Sequence, residues 1–141
     1  MGATVRPAWQ RPDVLLAVAC GGLIGSLARY GVGQWLPTQK HGFPWSTFLI
    51  NVSGALLLGI LVVLLLQRFP PNRYAGAFFG TGVLGAYTTF STYMVETVLL
   101  AQDGYVARAT AYLLGSLVVG LLASWLGIVI GRRISSLGRS T

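Results

Sequence analysis

The chain has 141 residues, of which 54% are hydrophobic and 9% charged, with a net charge of +7 and a mean hydropathy of +0.68. Because soluble domains have about a quarter of their residues charged, this composition excludes a soluble domain and indicates a membrane protein. Nucleic-acid binding is not indicated either, because the ten Lys and Arg residues lie at the ends of apolar segments and form no basic run with interleaved aromatics.

Four hydrophobic segments predict four transmembrane helices in a single domain at residues 14–134. Three uncharged runs are long enough to cross a hydrocarbon core of about 30 Å: Trp45 to Leu66, Tyr74 to Val95 and Ala109 to Gly131. A fourth run reaches that length if the first helix continues from Val14 through Arg29 to Trp35. Residues 1–13 are interpreted as a cytoplasmic lead-in and residues 135–141 as a tail. The prediction is an all-α, multi-pass membrane protein.

The basic residues also predict its orientation. Seven arginines would share one side if both termini and the loop after the second helix lie there: Arg6, Arg11, Arg68, Arg73, Arg132, Arg133 and Arg139. Lys40 and Arg108 would lie on the other side. The positive-inside rule then predicts cytoplasmic termini.

Two polar residues lie inside the first two helices. Arg29 is either an end anchor or a buried cation lining an aqueous vestibule, and the vestibule is favoured because several residues separate it from the loop. In the second helix, Thr47 and Asn51 share one face at a spacing of four. An unpaired amide in this apolar setting would be costly, so Asn51 either bonds a neighbouring helix or donates into a pore.

The third segment contains the stretch around which the chain is organised, Gly80 to Tyr93. Its three glycines, four threonines and one serine disfavour a continuous helix, since glycine costs about 1 kcal/mol against alanine and clustered hydroxyls compete for backbone partners. We predict a break near Gly85 to Thr88, with Thr88 or Thr89 capping the second half. Backbone groups freed by such a break require protein or a polar pathway, which makes it a candidate ion site.

One helix face after this break carries three residues at a spacing of three: Phe90, Tyr93 and Glu96. The rings are either ordinary packing or present their positive edges to an anion. Glu96 has either a structural or gating role as a hydrogen-bond partner, which we favour, or is a proton-coupled carboxylate. In the fourth helix, Tyr112, Ser116, Gly120 and Ser124 recur every four residues. This stripe is either a hydroxyl-lined groove or a packing surface, and the bulky tyrosine favours the groove.

Three pieces of the sequence together resemble the Fluc fluoride channels, also called the CrcB family. The pieces are Gly21 to Tyr30, Pro44 to Gly54 and Gly82 to Tyr93. The resemblance implies an antiparallel, dual-topology dimer with two fluoride pores and a sodium ion held on the two-fold axis by the carbonyls of Gly85 and Thr88. The implied fluoride pathway contains Arg29, Thr47, Asn51, Phe90, Tyr93, Tyr112 and Ser116, with Glu96 on the same half-helix.

This chain departs from the family pattern at three points. Tyr93 stands where a second phenylalanine is usual, and Gly120 where a further hydroxyl is common. The arginine asymmetry also fits poorly with insertion in both orientations, so the dimer is either a homodimer or a heterodimer with an oppositely oriented paralogue.

The sequence therefore predicts passive, selective export of fluoride across the cytoplasmic membrane without covalent chemistry. The alternative is a small four-helix, proton-coupled drug or cation exporter. Such an exporter needs an acidic residue deep in its first helix, which contains no acid after Asp13.

Overall fold

The computed structural model describes residues 11–67 and 73–137. Every regular element in these two ranges is helical. The elements are α1 Pro12–Trp35, α2 Trp45–Gln67, α3 Arg73–Ala75, the π-helix π1 Gly76–Leu84, α4 Gly85–Tyr87, α5 Phe90–Gln102 and α6 Val106–Leu137. We call residues 73–87 the first half of the third segment and α5 its second half.

The predicted all-helical membrane architecture is confirmed, and α1, α2 and α6 are each long and apolar enough to cross a bilayer. Two helix ends differ from the prediction. Helix α1 begins at Pro12, because proline at the first helical position loses no intrahelical bond. Helix α6 continues past Ile134 to Leu137, and Ser135 in this last turn is buried. Residues 1–10 of the predicted lead-in, residues 138–141 of the predicted tail and residues 68–72 before α3 lie outside the described residues.

The third segment is helical on both sides of two extended residues. Thr88 has φ −76° and ψ 158°, and Thr89 has φ −147° and ψ 121°. Gly85, where the predicted interruption began, is still helical. Two adjacent β-branched threonines tolerate extended backbone well, and the Thr89 hydroxyl accepts a bond from the Thr92 amide at 3.3 Å, capping α5. The extended residues therefore come after the glycines.

Glycines hold the helices together in two tight pairs. Helix α1 packs on the first half of the third segment, and a Cβ placed at Gly25 would lie 2.1 Å from the Val83 carbonyl oxygen. Helix α2 packs on α6, and a Cβ at Gly127 would lie 2.2 Å from the Leu56 carbonyl oxygen. Such backbone approach requires glycine and is typical of membrane helix pairs.

Helix α5 joins these pairs and packs mainly on α6. Its contacts include a cluster in which Leu100, Ala109 and Tyr112 are buried and Tyr93 packs against them. The second half of the third segment is thereby positioned by α6 and not by α1.

Candidate functional site beside the extended threonines

A cavity of about 480 Å³ lies between α2, the third segment and α6. Its lining is mostly apolar, with a few polar groups. Helix α2 contributes Asn51, Gly54, Ala55 and Leu58; the third segment contributes Gly80, Leu84, Gly85, Thr88, Thr89, Phe90 and Tyr93; and α6 contributes Ser116, Leu117, Gly120, Leu121 and Ser124. An apolar cavity with a few convergent polar groups is typical of a binding site or pathway.

Asn51 is paired with the backbone of Thr89 on both sides of its amide. Its Nδ2 donates to the Thr89 carbonyl oxygen at 2.9 Å, and its Oδ1 accepts from the Thr89 amide at 2.9 Å. Because a carboxamide has two N–H donors, one N–H remains for another acceptor. Both interpretations of Asn51, interhelical bonding and donation into a pore, are therefore compatible with this geometry.

Two side chains at the interruption accept backbone amides, so that two carbonyls there lack their usual helical donors. The Thr89 amide, which would bond the Gly85 carbonyl in a continuous helix, donates to Asn51. The Thr92 amide, which would bond the Thr88 carbonyl, donates to the Thr89 hydroxyl. Among the described residues, the carbonyls of Gly85 and Thr88 thus lack their usual helical donors, and both residues line the cavity.

Glu96 is bound between α2 and α6. One carboxylate oxygen accepts from the Thr47 hydroxyl at 3.0 Å, and the other accepts from the Tyr112 hydroxyl at 2.8 Å. Thr47 is 4% exposed and Tyr112 is 0% exposed, so both donors are withdrawn from solvent. None of the three residues lines the cavity. This geometry favours a structural role for Glu96.

Two aromatic rings and one hydroxyl meet at the cavity. The ring centroids of Phe90 and Tyr93 are 6.0 Å apart, and Phe90 is 74% exposed in the single chain. The Ser116 hydroxyl oxygen is buried and has no hydrogen-bond partner within the part of the chain that the structure describes. An unpaired hydroxyl on a cavity wall is available to a ligand.

Arg29 lies apart from this group. It is a partly exposed residue of α1 and does not line the cavity. Within the described ranges it forms no hydrogen bond or ion pair. The structure thus brings together Asn51, Phe90, Tyr93 and Ser116 with Gly85 and Thr88, places Thr47, Tyr112 and Glu96 in a neighbouring cluster, and leaves Arg29 outside both.

Comparison with known proteins identifies the family to which this arrangement belongs. Residues 16–128 match the model of the family described as CrcB-like protein, Camphor Resistance (CrcB). The chain belongs to the CrcB family. The resemblance inferred from the three sequence pieces is thereby confirmed.

Curated relatives of this CrcB chain are named fluoride-specific ion channels. FluC 1 of Streptomyces coelicolor is 41% identical over 94% of this chain and 86% of its own length. FluC 2 of Moorella thermoacetica is 49% identical over 79% of this chain and 91% of its own length. FluC 3 of Streptomyces avermitilis is 49% identical over 86% of this chain, which spans 60% of that relative's length.

Sequence reasoning missed two contacts that support the interruption. A Cβ at Gly54 would lie 2.3 Å from Thr88 Cγ2, so the absence of a side chain there admits the extended threonine. The Ser53 and Tyr87 hydroxyls are 3.0 Å apart and bond α2 to the end of α4. The available signal was the run Asn51-Val52-Ser53-Gly54, whose polar and small residues occur together inside an apolar helix.

Proposed function

We propose that this CrcB chain is a fluoride-selective channel that lets fluoride leave the cell passively across the cytoplasmic membrane. The observation that carries the proposal is the Asn51–Thr89 pairing beside the cavity, which holds an anion donor at an interruption in a membrane helix. The names of the relatives support the choice of fluoride. No covalent chemistry is involved.

The groups along the proposed pathway suit a small, strongly hydrated anion. A pore must replace the water that the ion loses with fixed dipoles. Asn51 supplies its remaining N–H, and Ser116 supplies an unpaired hydroxyl. The rings of Phe90 and Tyr93 supply positive edges. Thr47 and Tyr112, which the resemblance also assigned to the pathway, donate their hydroxyl hydrogen bonds to Glu96 outside the cavity and support the helices that line it.

We propose further that two copies assemble antiparallel in the membrane. In support, the cavity is bordered by Phe90, a ring that is largely exposed in the single chain and that a second subunit would cover. Topology is tested with Lys40→Cys in a Cys20→Ser background, because Lys40 lies in the exposed α1–α2 loop. Dual topology predicts that an impermeant maleimide labels about half of the protein from outside the cell. Complete labelling or none contradicts it.

The freed carbonyls of Gly85 and Thr88 fit a sodium ion, because unwound backbone carbonyls in membrane helices are typical sodium ligands. When bound, sodium supplies positive charge that balances the carbonyl oxygens. Asn51 and Thr89 keep those oxygens free by taking up the amides that would otherwise bond them.

The proton-coupled exporter is supported less well. Glu96, the carboxylate that would carry the proton, has both oxygens bonded to hydroxyls and lies outside the cavity. No specific observation favours that activity.

The decisive experiment is ion release from liposomes that contain the purified protein. We expect rapid fluoride release and negligible chloride release, measured with ion-selective electrodes after shunting the membrane potential with valinomycin. Protein-free liposomes provide the background rate. Equal release of the two anions contradicts the proposal, and proton-driven cation uptake in the same vesicles supports the exporter.

A further inference from the structure

The tyrosine that departs from the family pattern has its hydroxyl bonded away from the cavity. The Tyr93 hydroxyl donates to the backbone carbonyl of Leu113 in α6 at 2.5 Å. Tyr93 is partly buried and lines the cavity, whereas the acceptor residue Leu113 does not. One residue thus contacts both the proposed pathway and the backbone of the helix behind it.

A phenol has a single O–H proton, so a hydroxyl that donates to Leu113 has none left for an anion. Its oxygen lone pairs would repel fluoride. What Tyr93 presents to the cavity is therefore the ring, whose hydrogen-bearing edge carries partial positive charge. While this bond holds, Tyr93 meets an anion as a phenylalanine would, with the difference that the ring is tied in place.

Neighbouring rings support this fixed orientation. Tyr112 approaches Tyr93 nearly perpendicularly, with centroids 5.1 Å apart and planes at 74°. On the other side, Phe90 lies 6.0 Å away with planes at 59°. The ring is held by Tyr112 and by the hydroxyl bond, whereas Phe90 is largely exposed. Of the two rings at the cavity, Tyr93 is the one whose position the subunit itself determines.

We propose that the Tyr93 hydroxyl is a positioning group, which fixes the second pathway ring through the Leu113 carbonyl and does not itself bind the anion. This inference rests on the proposed fluoride channel. In this proposal the ring of Tyr93 recognises the anion. The hydrogen bond to Leu113 contributes to selectivity because it holds the ring in a fixed position.

The first test is fluoride and chloride release by Tyr93→Phe, with Tyr105→Phe as the matched control. Tyr105 lies immediately before α6 and does not line the cavity, and Arg108 lies over its ring. We expect Tyr93→Phe to reduce fluoride release about threefold to tenfold, the factor corresponding to one hydrogen bond, and to lower the fluoride-to-chloride ratio. A role in stability alone would leave this ratio unchanged. Tyr105→Phe should match the unmodified protein.

The second test follows the acceptor directly by the ¹³C NMR signal of the Leu113 carbonyl in detergent, assigned by its loss in Leu113→Ile. We expect Tyr93→Phe to move this signal and sodium fluoride to leave it unchanged in the unmodified protein. A fluoride-induced move toward the Tyr93→Phe position would show the hydroxyl turning to the anion and would overturn the proposal. Unchanged flux and ratio in Tyr93→Phe would also overturn it.

The two tests separate this inference from the proposed function. Unmodified protein that releases no fluoride refutes the channel, whereas the Leu113 signal still reports whether the hydroxyl is bound there. If Tyr93→Phe does not fold, the fluoride titration of the unmodified protein decides the matter alone: an unchanged Leu113 signal supports the proposal, and any fluoride-induced move of that signal overturns it.

Discussion

The side chain of Asn51 pairs with the backbone of Thr89 as one peptide group pairs with another in a sheet, through two hydrogen bonds of 2.9 Å. Thr89 is extended and lies between two helical stretches, so its amide has no acceptor in its own helix, whereas its carbonyl, at the N-cap of α5, can accept both the first bond of that helix and the one from Asn51. Within a membrane such groups must be satisfied by protein. A single carboxamide on α2 therefore makes the interruption tolerable.

Replacing Asn51 by alanine should destabilise the protein and abolish fluoride release. The Thr89 amide would lose its acceptor and the Thr89 carbonyl its side-chain donor, and an unsatisfied buried amide alone costs about 1–3 kcal/mol. Asn51→Asp keeps an acceptor for the amide but places a second oxygen against the Thr89 carbonyl, so it should also be destabilised. Thermal unfolding in detergent and liposome flux measure both effects.

Gln34→Ala is the matched control, because within residues 11–67 and 73–137 this exposed amide bonds only the Tyr30 hydroxyl, one turn away. It should unfold at the same temperature as the unmodified protein. Asn51→Ala with full stability would show that the pairing with Thr89 contributes little.

Glu96→Ala should cost more stability than Glu96→Gln. Alanine leaves the hydroxyls of Thr47 and Tyr112 unpaired in a buried site, at about 1–3 kcal/mol each. Glutamine keeps one acceptor oxygen, and either hydroxyl can accept from its NH₂ group. The measurement is thermal unfolding of the two variants side by side. If glutamine destabilises as much as alanine, the negative charge is required and hydrogen bonding alone does not explain Glu96.

Gly25→Ala should disrupt the contact between α1 and the third segment, whereas Gly22→Ala should be tolerated. A Cβ at Gly25 would lie 2.1 Å from the Val83 carbonyl oxygen, and one at Gly22 meets no atom within 4 Å. Overpacking of this kind costs about 1–3 kcal/mol or more, whereas alanine at an open helical site gains up to about 1 kcal/mol. The unfolding temperature and the yield of folded protein should both fall in Gly25→Ala, and both should stay unchanged or rise in Gly22→Ala. Equal behaviour of the two variants would contradict the tight packing.

Replacing sodium by N-methylglucamine should lower the unfolding temperature. The carbonyls of Gly85 and Thr88 have lost their helical donors, and the large organic cation cannot take sodium's place between them. Re-adding sodium should restore stability in a saturable manner, as linkage requires for a ligand of the folded state. A sodium titration at constant ionic strength, with N-methylglucamine as the balancing cation, separates specific sodium binding from general screening of charges. If stability does not respond to sodium in a saturable manner, the sodium site is refuted.

The membrane helices could be predicted from the sequence because hydropathy alone sets their length. The uncharged run from Trp45 predicted α2 almost to its end, and α2 ends at Gln67. Composition was less informative within the third segment. The composition predicted that the break begins at Gly85, yet Gly85 is helical, because the low helix propensity of glycine is only a weak preference.

Pairings between distant residues could not be predicted in this way. Periodicity placed Thr47 and Asn51 on one face of α2, but it could not assign Thr47 to Glu96, 49 positions away, or Asn51 to Thr89. The same limit applied to Tyr112, which the spacing assigned to a groove and which the structure buries with its hydroxyl on Glu96. A helical face predicts a direction, whereas the partner depends on how helices pack.

The interleaved packing of the helices has a consequence for how the chain is made. Helix α1 packs mainly on the third segment and α2 on α6, whereas α1 and α2 share few contacts. Neighbours in the chain usually pack together. In this chain the main partners of α1 and α2 are synthesised later, so neither helix can complete its packing when it leaves the ribosome. Gly59 of α2, which lies against the backbone of α6, stays without its counterpart until α6 has been synthesised. Truncation before α6 should therefore leave α2 inserted but unpaired, and exposed to the proteases that remove unassembled membrane segments.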